Sequence, residues 1–74
     1  MTEVKFAIKN SEYDWKAINN LIEGYFGETM KISSYNHIDF HNFFYNDENG
    51  EKFIQKFKQN YPLIKIEVFK TEEN

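Results

Sequence analysis

The chain contains no cysteine and no arginine, one proline and three glycines. Each scarcity closes a class of protein. Without cysteine there is no disulfide, no thiolate nucleophile and no sulfur ligand for zinc. Small secreted domains usually depend on disulfides, so the expected home is the cytoplasm. All nine basic residues are lysine. That removes the planar guanidinium fork, and with it arginine-based phosphate clamps and bidentate guanine readout. The glycines are too few for a phosphate-cradling loop, and "EGYFGE" ends a predicted helix where such a loop would begin one. No apolar run reaches the length of a signal-peptide core or a membrane span. The longest, Ile38 to Tyr45, is interrupted by Asp39, His41 and Asn42.

Aromatic residues are abundant instead, at 19% of 74 residues, within a hydrophobic fraction of 41%. Large rings bury much area at low entropic cost, and a chain this short buries only about 60% of its unfolded surface. The composition therefore specifies a globular protein, read as one domain over 1–74 with residues 71–74 as a flexible acidic tail. The formal charge of −3 and pI near 5.3 argue against non-specific attachment to phosphate backbones. The wealth of Lys, Asn, Ile, Phe and Tyr also fits an AT-rich coding sequence, as in a low-GC bacterium or its phage.

Residues 3–9, "EVKFAIK", alternate with Val4, Phe6 and Ile8 on one side, which is the pattern of a half-buried strand. In the next stretch Ser11 reads as an N-cap with Asp14 three residues on. Trp15, Ile18, Leu21, Ile22, Tyr25 and Phe26 form a helical stripe, and Gly27 reads as its C′ stop. A short strand follows with Met30 and Ile32 inward and Thr29, Lys31 and Ser33 outward. "SSYNH" is a turn, and the segment from His37 is the returning strand. "NDENG" ends that strand. Residues 51–61 read as a helix through Phe53, Phe57 and Tyr61, closed by Pro62, although Asn49-Gly50 also permits a hairpin. Residues 63–70 alternate again, with Ile64, Ile66 and Val68 on one side.

The order β-α-β-β-α-β, with right-handed crossovers, predicts an α+β ferredoxin-like fold. It has a four-stranded antiparallel sheet in the order 4-1-3-2 and two helices on one face. The expected core joins Trp15, Ile18, Ile22, Phe26, Phe53 and Phe57 to Val4, Phe6, Ile8, Met30, Ile32, Ile38, Phe40, Ile64, Ile66 and Val68.

The segment "HIDFHNFFYN", residues 37–46, is the one place that invites chemistry. On a strand, His37, Asp39, His41, Phe43 and Tyr45 share a face. Asn42 would then enter the core between Phe40 and Phe44 unless a β-bulge near His41–Phe43 removes it. Three ligands in a row on one strand cannot close on one ion, because His37 and His41 lie about 13 Å apart at ~3.3 Å per residue. Glu3 is the neighbouring carboxylate, but Lys5 and Lys31 oppose a cation. No serine is placed beside a histidine and an acid with any specificity. The expectation is that the chain is not an enzyme and needs no cofactor or metal.

What remains is surface. Phe43, Tyr45, Leu63 and Phe69 are expected on the sheet face that the helices leave open, beside His41 and the lysines Lys5, Lys9, Lys31 and Lys65. An apolar patch of that kind marks protein contact. The function expected from sequence is a small cytoplasmic protein-binding module with a protein partner, a homodimer through the open face being one form. A more specific version is an inhibitor of a host nucleic-acid enzyme, of the phage counter-defence or DNA-mimic type, with Asp47, Glu48 and Glu51 as its acidic cluster. The alternative is a single-stranded RNA or DNA binder using Phe43 and Tyr45 as a stacking platform, like an RNA-recognition motif. The first strand offers Ala7 and lysines where a second stacking ring belongs, and the chain is acidic.

Overall fold

The computed structural model describes residues 1–72. Its elements are β1 (Thr2–Lys9), α1 (Trp15–Gly24), β2 (Glu28–Ser33), β3 (His37–Phe44), α2 (Asp47–Asn60) and β4 (Glu67–Lys70). The four strands form one antiparallel sheet in the order β2-β3-β1-β4. This is the ferredoxin-like α+β topology expected from the pattern, and the segment after "NDENG" is a helix.

The core lies between the sheet and the helices. Val4, Phe6 and Ile8 of β1 and Ile38, Phe40 and Phe44 of β3 meet Ile18 and Ile22 of α1 and Phe53, Ile54 and Phe57 of α2. Phe6 stacks on Phe40 with ring centroids 4.9 Å apart, and Phe44 stacks on Phe53 at 4.8 Å. Helix α2 packs on the two central strands, and α1 packs towards β2.

Several expected positions move. The β1–β3 ladder is unbroken from Thr2↔Phe44 to Lys9↔His37, so no bulge removes Asn42. Asn42 is buried, and its Nδ2 donates to the Val4 carbonyl at 2.9 Å. Its Oδ1 and the hydroxyl of its cross-strand neighbour Thr29 are buried with no partner among the described residues.

Strand β2 has the opposite phase to that expected. Met30 pairs with His41 and Ile32 with Asp39, so both apolar side chains lie on the uncovered face, 60% and 66% exposed. Lys31 turns to the helix side, where its ammonium bonds Asn19 Oδ1 at 3.0 Å and lies 4.7 Å from the Trp15 ring. A one-residue difference in register exchanges the two faces of a strand, and alternation alone does not say which face is inward.

Helix α1 starts later than Ser11 suggests. Asp14 is the N-cap, its Oδ1 accepting from the Lys16 and Ala17 amides at 3.0 and 3.4 Å. The apolar stripe is buried only in its middle. Trp15 is 38% exposed, and Phe26 lies past the helix end at 79% exposed. Phe26 takes φ 62°, the left-handed C′ conformation that glycine usually supplies. Its amide donates to Glu23 O and that of Gly27 to Ile22 O, which closes a Schellman motif one residue before the expected stop.

Helix α2 begins inside "NDENG". Asn46 caps it by accepting from the Asn49 amide at 3.1 Å, and Asp47 and Glu48 occupy the first turn, where the helix dipole favours acids. Strand β4 is only four residues long, because Pro62 and the turn returning Ile64 N–H to Tyr61 O delay it. Ile64 and Ile66 are half-buried and Val68 is exposed at the sheet edge. Thr71, the first residue of the expected tail, exchanges backbone hydrogen bonds with Met1, at 2.9 and 3.0 Å. Glu73 and Asn74 lie outside the described residues.

Candidate functional site: the uncovered sheet face

The face opposite the helices is built of cross-strand rows. One row runs Ile32, Asp39, Ala7. The next runs Met30, His41, Lys5, Glu67, and the third Glu28, Phe43, Glu3, Phe69. Each row mixes apolar and charged side chains. Ala7 is the smallest of them, and its lack of bulk leaves an open groove of about 440 Å³. Met30 and Ile32 form one side of the groove, Lys65 and Glu67 the other.

The rows are tied together at three points. His41 Nε2 lies 3.0 Å from Glu3 Oε1, both half-buried, and the His41 ring leans on Phe43 at 4.3 Å. The Lys5 ammonium lies 5.3 Å from the Phe69 ring centre, a cation–π contact. The Tyr45 hydroxyl donates to Glu28 Oε2 at 3.2 Å. The Glu28 carboxylate raises the Tyr45 phenol above its ordinary value, because ionising it would set two negative charges side by side.

His41, Phe43 and Phe69 therefore meet on one surface, with Tyr45 at its end. Leu63 is exposed at the opposite end, in a second cleft with Lys9 and His37. His37 is separate from His41: its Nδ1 faces Asn36 Oδ1 at 2.6 Å. Among the described residues no three His, Cys, Asp or Glu side chains are grouped to hold a metal ion.

Asp47, Glu48 and Glu51 are not on this face. They lie at the start of α2, on the helix side, and each is engaged. Asp47 Oδ1 accepts from the Thr2 hydroxyl at 2.8 Å and stands 3.2 Å from the Met1 amino group. Glu48 pairs with Lys52 at 3.4 Å, and Glu51 pairs with Lys70. The Thr2 hydroxyl, then the amino terminus, hold Asp47 below the usual aspartate range, and Glu51 raises Lys70.

Met30 and Ile32 are the site residues that sequence reasoning missed. The face also carries Glu3, Glu28, Asp39 and Glu67. Glu3 and Glu28 flank Phe43, which is poor company for a stacked nucleotide and its phosphates.

No known protein family matches the sequence, and no curated protein matches it. Among solved structures the chain is similar to the de novo designed protein Foldit4. The TM-score is 0.69 with 13% identity, over 99% of this chain and 96% of that one. At that identity the likeness is one of fold. No helix of the described residues is long and apolar enough to cross a membrane.

Proposed function

We propose that this chain is a non-enzymatic protein-binding module that holds its partner on the uncovered sheet face. One observation carries the reading: Met30, Ile32, Tyr45 and Phe69 stand exposed on a surface that neither helix covers. Large apolar side chains grouped on one uncovered face of a small domain mark a contact surface. The charged residues interleaved with them supply specificity, since a partner must match their signs. The engaged state of Asp47, Glu48 and Glu51 favours apolar contact over charge mimicry of a nucleic acid.

The test is a comparison of two immobilised forms of the domain against extract from the native host. One is the natural chain. The other carries Met30→Ser, Ile32→Ser, Tyr45→Ser and Phe69→Ser, positions open enough to leave the fold intact by circular dichroism. A protein retained by the first at high salt and lost by the second supports the reading. Identical retention by both sinks it. Retention lost when salt shortens the Debye length from about 10 Å to about 3 Å would instead mark a charge-driven contact, as an inhibitor mimicking nucleic acid requires.

A further inference from the structure

We infer that two copies of this chain join edge to edge through strand β2, giving one continuous eight-stranded sheet. This stands on the edge strand itself and not on the partner-binding role proposed above.

Among the described residues β2 pairs with β3 alone, so its outer side presents unpaired backbone groups over six residues. Such an edge is a template for another strand unless the protein blocks it, and a lysine in mid-strand is a common block. Here that lysine is turned aside. Lys31 Nζ is drawn over its own α1, 3.0 Å from Asn19 Oδ1 and 4.7 Å from the Trp15 ring. The edge has no proline, no bulge and no covering loop among its six residues.

The occupant follows from the order of side chains. An antiparallel partner strand meets β2 best if it sets apolar against apolar on the open face and polar against polar on the other. The sequence of β2 does this with itself. A two-fold axis through Lys31 places Met30 opposite Ile32 of the second copy, and Ile32 opposite its Met30. On the helix side Thr29 meets Ser33 of the second copy, one small polar residue against another. Cross-strand pairs of these kinds stabilise antiparallel ladders. The four apolar side chains make one patch across the seam, covering surface that is 60% and 66% exposed in a single copy. The one unfavourable pair is Lys31 with its own copy on the axis, and both ammonium groups are held away from it. Moving the axis by one residue, to Met30, would instead set Ile32 against Glu28 of the second copy.

Sedimentation equilibrium tests the association, and designed charges test the register. The natural chain is expected to show a mass of about twice 9.0 kDa in the submillimolar range. Met30→Glu with Ile32→Glu places four acids at the seam and should leave a monomer. Met30→Lys with Ile32→Glu pairs each lysine with a glutamate of the other copy and should restore the dimer. Since the chain has no cysteine, an introduced thiol reports proximity. Lys31→Cys sits on the axis with Cα atoms about 5 Å apart, within disulfide reach, and should oxidise to a covalent dimer. Glu28→Cys, roughly 20 Å from its copy, should not. A natural chain that stays monomeric throughout overturns the inference. So does a dimer that the double glutamate variant leaves intact, since its contact then lies elsewhere.

Discussion

His41 Nε2 and Glu3 Oε1 stand 3.0 Å apart across β3 and β1, in the middle of the sheet face that the helices do not cover. The contact orients the His41 ring, and the ring in turn supports Phe43 at 4.3 Å. A half-buried hydrogen bond of this kind contributes about 1 kcal/mol net. Glu3→Ala should lower unfolding stability by that amount in urea titrations, and Glu3→Gln, which keeps an acceptor, by less. Equal losses for both would show that the carboxylate charge, and not the hydrogen bond, matters there.

Phe26 is held at φ 62° and is 79% exposed. A left-handed conformation costs a non-glycine residue roughly 1–2 kcal/mol. Glycine pays no such strain but loses more chain entropy on folding, by roughly 0.5–1 kcal/mol. Phe26→Gly should therefore stabilise the domain by about 0.5–1 kcal/mol, seen as a raised urea midpoint at unchanged slope. A lowered midpoint would mean that the ring makes contacts worth more than the strain.

The element order, both helices and most of the core were legible, because clean alternation and helical stripes name the element type directly. The phase of β2 was not. "TMKIS" alternates perfectly well either way, and its inward face is chosen by pairing with β3, a tertiary fact. Asn42 was equally hidden. Its polarity argues for the surface, yet an unbroken ladder carries it inside, where the Val4 carbonyl takes one of its amide protons. For the site, the third-strand residues were readable from spacing two. Met30 and Ile32 were lost through the same phase error, and Lys31 was wrongly put in their place. Asp47 and Glu51 looked like members of a free acidic cluster because their partners, the Thr2 hydroxyl with the Met1 amino group and the Lys70 ammonium, are distant in sequence.

Those partners predict a pH response. Asp47 is held below its ordinary range, foremost by the Thr2 hydroxyl. A carboxyl lowered on folding adds stability above its unfolded pKa, and the addition is lost as pH falls through the folded value. Stability should therefore drop on acidification below about 4, the usual aspartate range. Lys70 is raised by Glu51. Its contribution is present below the unfolded lysine pKa and is lost as pH rises through the folded one. Urea midpoints across pH should show Asp47→Asn flattening the acid limb and Lys70→Met flattening the alkaline limb. An acid limb unchanged by Asp47→Asn would assign the acid loss to other carboxyls.

Gly27 decides where β2 begins. A Cβ there would stand 2.5 Å from Phe44 Cε1 and 2.8 Å from Ile22 Cγ2, both in the core. Neither ring nor branch can retreat, since Phe44 is stacked on Phe53 and Ile22 is fully buried on the inner face of α1. The backbone at Gly27 is therefore pressed against Phe44, and this close approach carries Thr29 inward and Met30 outward. Overpacking a filled core costs about 1–3 kcal/mol. Gly27→Ala should lose that much in urea unfolding, whereas Gly24→Ala, where a Cβ meets nothing within 4 Å, should gain by its better helix propensity. The Gly27→Ala chain should also show amide shifts concentrated from Glu28 to Ser33 in NMR spectra, as β2 is pushed off its seat. If it is instead as stable as the natural chain and those shifts are absent, the contact with Phe44 is not what sets the phase of β2.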